Sequence, residues 1–213
     1  MSQELKSNSI SPTGGPSPLP KMTYEEFLDW CGDEKMFAEW VDGEIILMSP
    51  ASMRHQLVGA FLAALLQHFV EANDLGLVLT APFQMKLVRS GREPNVLFVA
   101  RERRGLFTKV YLDGAADLAI EVVRPDSGTR DRRDKYLEYQ QAGVREYWIV
   151  DPIRSKAEFY RLGADRAYTP VLVDADGVFH SEVLPGLRLK VDWLWQEPLP
   201  PLMSVLKEWG LVK

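Results

Sequence analysis

Glu121 stands inside the run "AIEVV" (119–123), with apolar neighbours on both sides. A carboxylate in such a run is costly unless it is paired, protonated or bound to a metal. Upstream, "GREPNVLFVA" (91–100) places Asn95 at the head of a second apolar run, just after Pro94. Downstream, Lys135 follows a loop that can fold back over the end of the Glu121 strand. Two polar groups on neighbouring strands and a nearby lysine are the materials of a metal and phosphate site. Each residue also has a plainer reading. Asn95 taken alone is a turn or strand-cap residue bonding local backbone. Glu121 alone is either half of a buried ion pair or a functional acid. Lys135 alone belongs to the mixed-charge face "RDRRDKYLEY", with i,i+4 pairing.

The elements that must position these residues are legible in part. Thr23 and Glu26 in "TYEE" form a capping box and open a helix through about Trp30. "FAEWVDGEIILM" reads as a hairpin turning at Asp42-Gly43. A long helix, 52–72, carries Val58, Phe61, Leu62, Leu65, Leu66 and Phe69 at helical spacing, with His55 one turn before Val58. "GLVLTAPFQMKLV" and "PNVLFVA" read as strands joined by a turn at Ser90-Gly91. "RERRGLFTKVYLDGAA" is a basic connector, "DLAIEVV" a buried strand, and Thr129 caps a helix to about Ala142, closed by Gly143. "REYWIVDP" is a strand. "KAEFYRL", "YTPVLV" and "LRLKV" suggest an antiparallel meander, and "PLMSVLKEWG" a short terminal helix. The expected class is α/β (α+β): a mixed central sheet flanked by helices, with an N-terminal hairpin and a C-terminal meander. The Ser-, Pro- and Gly-rich residues 1–20 read as a disordered tail, 21–195 as one domain and 196–213 as an extension.

Several of these segments, in this order, resemble the Uma-two family (domain of unknown function 820), restriction-endonuclease-like proteins of the PD-(D/E)XK nuclease superfamily. The resemblance covers roughly residues 23 to 165. It rests on "AEWVDGEIILMSP", on His55, and on "EPNVLFV", "ADLAIEVVRPDS" and "KYLEYQQAGVREYWIVDP". It implies a DNA endonuclease, with Mg²⁺ or Mn²⁺ held by Glu121 and by the residue at position 95. The superfamily lysine normally stands two residues after the second carboxylate, where this chain has Val123. The resemblance therefore assigns that role to Lys135, and it places Glu39 and His55 in the same cleft. Similarity to enzymes that cut both strands also implies a homodimer.

The chain departs from the family pattern at Asn95, where the metal-binding aspartate is expected. Asparagine offers a neutral carbonyl oxygen. Even a partner one step removed from the metal is worth ~10–100-fold in affinity or activity. Glu93 is two residues earlier, with Pro94 bending the chain between them. Asp117 shares a strand face with Glu121 but lies ~13 Å along it, too far to share one ion. Two functions follow as expectations: an endonuclease impaired by Asn95, or a catalytically silent nuclease fold that binds DNA or a protein partner.

Composition sets the outer limits. The 213 residues are 46% hydrophobic and 26% charged, with a net charge of -5. The whole molecule does not attract nucleic acid or anionic membrane, so phosphate contact must come from a local patch. Residues 124–135 carry five basic and three acidic side chains, a modest excess. The single cysteine, Cys31, excludes an internal disulfide and fits a reducing compartment. No apolar run approaches ~18 residues, and no signal-peptide core is visible. A cytoplasmic location without membrane contact is the expectation. No His or Cys stands at zinc-ligand spacing. The tryptophans, Trp148, Trp193 and Trp195 among them, are expected to pack the core.

Overall fold

Alternation along the central strands sets the architecture. In the computed structural model, which describes residues 20–34, 37–125 and 127–212, every residue of β6 (Val96–Ala100), β8 (Leu118–Val122) and β9 (Glu146–Asp151) is buried. Strands buried on both faces must lie between two layers. Val96, Phe98, Leu118, Ile120 and Val122 face the first layer. It contains the long helix α2 (Met53–Ala72), through Val58, Leu62, Leu65 and Phe69. Leu97, Val99, Ala119 and Val123 face the second layer, with Tyr139 and Tyr147. Glu121 has the parity of Ala119 and Val123, so it points to the second layer.

These strands form a six-stranded mixed sheet of order β11-β10-β9-β8-β6-β3, completed by β3 (Gly76–Thr80), β10 (Lys156–Leu162) and β11 (Tyr168–Val171). Only β8 and β9 run parallel within it. The helical segment between them is α3 (Gly128–Arg130), a π turn (Asp131–Lys135) and α4 (Tyr136–Ala142). Gly143 ends it at φ +92, a left-handed position that suits glycine. A five-stranded sheet of order β2-β1-β5-β4-β7 lies alongside, from β1 (Ala38–Val41), β2 (Glu44–Leu47), β4 (Gln84–Lys86), β5 (Ser90–Arg92) and β7 (Tyr111–Asp113).

The expected hairpin turn forms, with Asp42 and Gly43 both at positive φ. The capping box also forms: the Thr23 amide donates to Glu26 Oε2 at 2.7 Å, and the Glu26 amide to Thr23 Oγ1 at 3.2 Å. Helix α1 (Tyr24–Glu34) runs beyond Trp30. Three expectations are corrected. Ser90-Gly91 is not a turn but part of β5; the chain reverses before it, where the Leu87 amide donates to Ser90 O. Gly91 is needed for close approach instead, since a Cβ there would strike the Tyr24 ring. Thr129 lies inside the first helical turn, and Ser127 is the residue that precedes it. The trailing strands divide: β10 and β11 extend the main sheet, while β12 (Val178–His180) pairs separately with β13 (Arg188–Lys190). The terminal helix is α5 (Leu202–Glu208). The segment read as a tail falls, except for Pro20, outside the described residues.

Candidate active site

Lys135 is the centre of the site. Its ammonium lies 2.9 Å from Glu39 Oε1, 2.9 Å from Glu121 Oε1 and 3.7 Å from Asp131 Oδ1. The side chain is 2% exposed, so Lys135 does not belong to a solvated mixed-charge helix face. Three elements converge here. Strand β8 presents Glu121, β1 presents Glu39, and the π turn presents Asp131 and Lys135 from one helix face. Tyr139, one turn further on, donates its hydroxyl to Glu121 Oε1 at 2.8 Å.

A second cation closes the far side. Arg92 Nη1 donates to Glu39 Oε2 at 2.9 Å, and its Nη2 lies 2.7 Å from Glu138 Oε2. The Glu93 amide donates to Glu39 Oε1 at 3.2 Å. Burial pushes the Glu39 carboxyl upward, but Lys135 and Arg92 outweigh it and bring it down to about 2. Glu121 goes the other way. Burial, with Asp131 and Glu39 nearby, pushes it up to about 7 in spite of Lys135. Glu93 is likewise pushed up to about 7, chiefly by burial, and Asp131 is raised by burial.

Asn95 and His55 form the outer part of the site. They line a cleft of about 760 Å³ with Glu93, Arg124, Pro50 and Thr80. Asn95 Oδ1 accepts from the Val122 amide at 2.8 Å, the strand-cap role its residue type suggests. With that oxygen committed, its Nδ2 is the donor toward His55 Nε2 at 3.4 Å. His55 is placed by the N-cap Ser52, whose Oγ accepts from the His55 amide at 3.2 Å. Burial, with the Arg124 charge, holds the imidazole below its ordinary value. Its neutral form accepts at Nε2, as the Asn95 contact requires.

The structure thus brings Glu39, Glu121 and Lys135 into one contact cluster and His55 and Asn95 into another. The Asn95–Val122 and Glu93–Glu39 hydrogen bonds join the two. Glu39, Glu121 and Lys135 do not line the cleft. Asp117 belongs elsewhere: it accepts from the Ala100 amide and pairs with Arg103 at 2.8 Å.

Do these residues fit a hard divalent cation? Among the described residues no three His, Cys, Asp or Glu side chains form a ready cage. Mg²⁺ usually needs only one or two carboxylates, with waters and substrate completing its shell. The donors are hard oxygens: four carboxyl groups (Glu39, Glu121, Asp131, Glu138) contact two cations, Arg92 and Lys135, and a fifth, the Glu93 carboxyl, accepts from Gln84 Nε2 nearby. Three of the five are held upward. A further positive charge would relieve that excess, so the donor set fits in kind.

Sequence reasoning passed over Arg92, Asp131, Glu138 and Tyr139. The last three share a helix face with Lys135, at spacings of three and four residues, which was the available signal. Arg92 carried none, because its partner Glu39 is distant in the chain.

The fold is that of a restriction-endonuclease-like α+β protein. Residues 24–192 match the family described as "Uma2: Putative restriction endonuclease", and the chain belongs to that family. A Synechocystis protein, "Uncharacterized protein slr1290", is 22% identical over 185 residues, covering 84% of this chain and 94% of that protein. A crystal structure from Anabaena variabilis, described as "a putative nuclease belonging to DUF820", superposes with a TM-score of 0.63 at 15% identity, covering 74% of this chain and 89% of the other. That likeness is one of fold. Among the described residues no helix is long and apolar enough to cross a membrane.

Proposed function

We propose that this chain is a Mg²⁺- or Mn²⁺-dependent DNA endonuclease, with Glu121 and Asn95 as the metal-binding pair and Lys135, His55 and Glu39 supporting them. The observation that carries this reading is the buried ammonium of Lys135, 2.9 Å from both Glu121 and Glu39, where Glu39 accepts from the amide of Glu93, a residue that lines the cleft with Asn95 and His55. A bound divalent ion would polarise a phosphoryl oxygen and acidify an attacking water. Lys135 fixes Glu121 in place and supplies a point charge beside it. Glu39 holds Lys135, and Arg92 in turn holds Glu39. His55, kept neutral, orients the Asn95 amide. Arg124 supplies positive charge on the cleft wall, where a phosphodiester would lie.

One observation favours a second reading, a silent nuclease fold that binds DNA or a protein partner. Asn95 Oδ1 is already taken by the Val122 amide, and Glu121 Oε1 by Lys135 and Tyr139. Incubating plasmid DNA with the protein and Mg²⁺ or Mn²⁺, beside Glu121→Ala, separates the two. Cleavage by the parent and none by the variant supports the endonuclease. Equal cleavage by both, or none by either, removes it. Tight Mn²⁺ binding by the unmodified protein, measured by calorimetry, weakens the silent reading.

A further inference from the structure

A second cleft, of about 740 Å³, opens beside the first, and Arg124 lines both. Its wall carries Arg124, Arg132, Arg133, Arg154 and Lys156, with Thr129, and no acid among the described residues that line it. It lies just past the C-terminal ends of β8 and β9, the parallel pair of the main sheet, with the connecting helical segment along one side. In open sheets, the crevice beyond the carboxyl ends of parallel strands is where ligands bind.

A solvated charged surface would scatter its cations and pair them at the rim. Here the acids stand behind the bases and hold them in place. Buried Asp151 accepts from Arg132 Nη2 and Arg154 Nη1, each at 3.1 Å. Glu158 Oε2 takes Arg132 Nε at 2.6 Å, and its Oε1 takes Lys156 Nζ at 2.6 Å. Among the described residues, five bases against these two acids leave an excess of three positive charges, on a chain whose net charge is -5. Such a concentration is what a polyanion requires of an otherwise acidic protein.

We propose that this second cleft binds the phosphodiester backbone of the nucleic-acid strand flanking the one in the first cleft, with Arg124 as the contact common to both. The proposal rests on the reading of the ligand as nucleic acid. It adds a site outside the catalytic cluster and a direction for the strand: from the Asn95 and His55 wall, past Arg124, towards Arg133 and Arg154. Contacts of this kind fix register and orientation without reading sequence.

The test is fluorescence anisotropy with a short labelled duplex and with a labelled single strand, in chelator so that no cleavage occurs. Arg133→Ala/Arg154→Ala removes two exposed cations from the cleft. Arg188→Ala/Lys207→Ala removes two exposed cations elsewhere and matches the change in net charge. Between about 50 and about 200 mM salt, each lost phosphate contact lowers the slope of log affinity against log salt by ~0.9 for a duplex. The cleft variant should bind about tenfold or more weakly at the low end, with a slope shallower by ~1.8 on duplex. The matched variant should keep the parental slope. Arg133→Gln alone should give half the change, and thermal unfolding checks that each variant is folded. Equal losses in the two double variants, no binding by the parent, or displacement of the strand by micromolar inorganic phosphate would each overturn the proposal. Cleavage is scored separately. Parental cleavage with unchanged binding by the cleft variant defeats this inference alone. Cleft-dependent binding without cleavage defeats the endonuclease reading alone.

Discussion

Lys135 and Glu121 meet at 2.9 Å although they belong to different elements, fourteen residues apart in the chain. The superfamily pattern would place the lysine two residues after the acid, but Val123 stands there as a core residue with 2% exposure. The contact joins the π turn to β8. The ammonium is the shared partner of two buried carboxyls, Glu39 and Glu121.

Lys135→Met should therefore destabilise strongly. Methionine fills similar volume but leaves Glu39, Glu121 and Asp131 without their shared cation. Breaking a buried ion pair by removing one partner costs about 3–5 kcal/mol. Urea unfolding of parent and variant at neutral pH measures it. A loss below about 1 kcal/mol, the range of a surface pair, would mean that the ammonium is not the partner these acids need.

How much of this was legible beforehand follows from where the information lies. Local chemistry announces itself: Thr23 with Glu26 and Asp42-Gly43 each specify a cap or a turn from neighbouring residues. The acid in "AIEVV" is visible because its apolar neighbours leave it no solvent. The state of Asn95 is only half visible, because residue type suggests a cap and the family pattern suggests a ligand, and the geometry shows the cap. Arg92 was not visible, since its partners Glu39 and Glu138 both lie far from it in the chain. The Ser90-Gly91 turn failed for a related reason: Gly91 answers to the Tyr24 ring, a residue far away in sequence.

Glu39 gives the site a defined pH signature. Its folded value is brought down to about 2, against an ordinary value of 4.5. A depressed acid contributes stability that is present above its unfolded value and lost as pH falls through the folded one. The contribution should therefore fade between about pH 4.5 and pH 2. Glu39→Gln should be less stable than the parent at pH 6, with the gap closing as pH approaches 2, at up to about 1.4 kcal/mol per pH unit. Urea midpoints across that window read it out. A gap that stays constant would mean that Lys135 and Arg92 do not act on this carboxyl.

Tyr139→Phe tests the hydroxyl that holds Glu121. The phenol donates to Oε1 at 2.8 Å inside the core, and phenylalanine keeps the ring. Loss of one partner of a buried charged group costs about 1–3 kcal/mol. Thermal unfolding should show that loss, and the carboxyl of Glu121 should titrate higher still, because a hydrogen bond to its charged form is gone. An unchanged midpoint would assign the charge on Oε1 to Lys135 alone.

Asn95→Asp bears on the missing charge itself. The aspartate keeps an oxygen for the Val122 amide but loses the Nδ2 donor to His55, and it adds a negative group to a cluster already rich in acids. Without metal the variant should be less stable, by about 1–3 kcal/mol, since a polar partner is lost and a charge is buried. With metal the sign should reverse. A ligand that binds only the folded state stabilises by about 2.7 kcal/mol at a hundred times its dissociation constant. Restoring a charged ligand should raise Mn²⁺ affinity by at least ~10-fold. Thermal unfolding with and without Mn²⁺, beside calorimetry, separates the two effects without reference to activity. Gain of metal-dependent plasmid cleavage in the variant alone would identify the natural chain as a silenced nuclease fold. Destabilisation that Mn²⁺ does not reverse would place position 95 outside any metal site and leave Asn95 as the cap that joins β6 to β8.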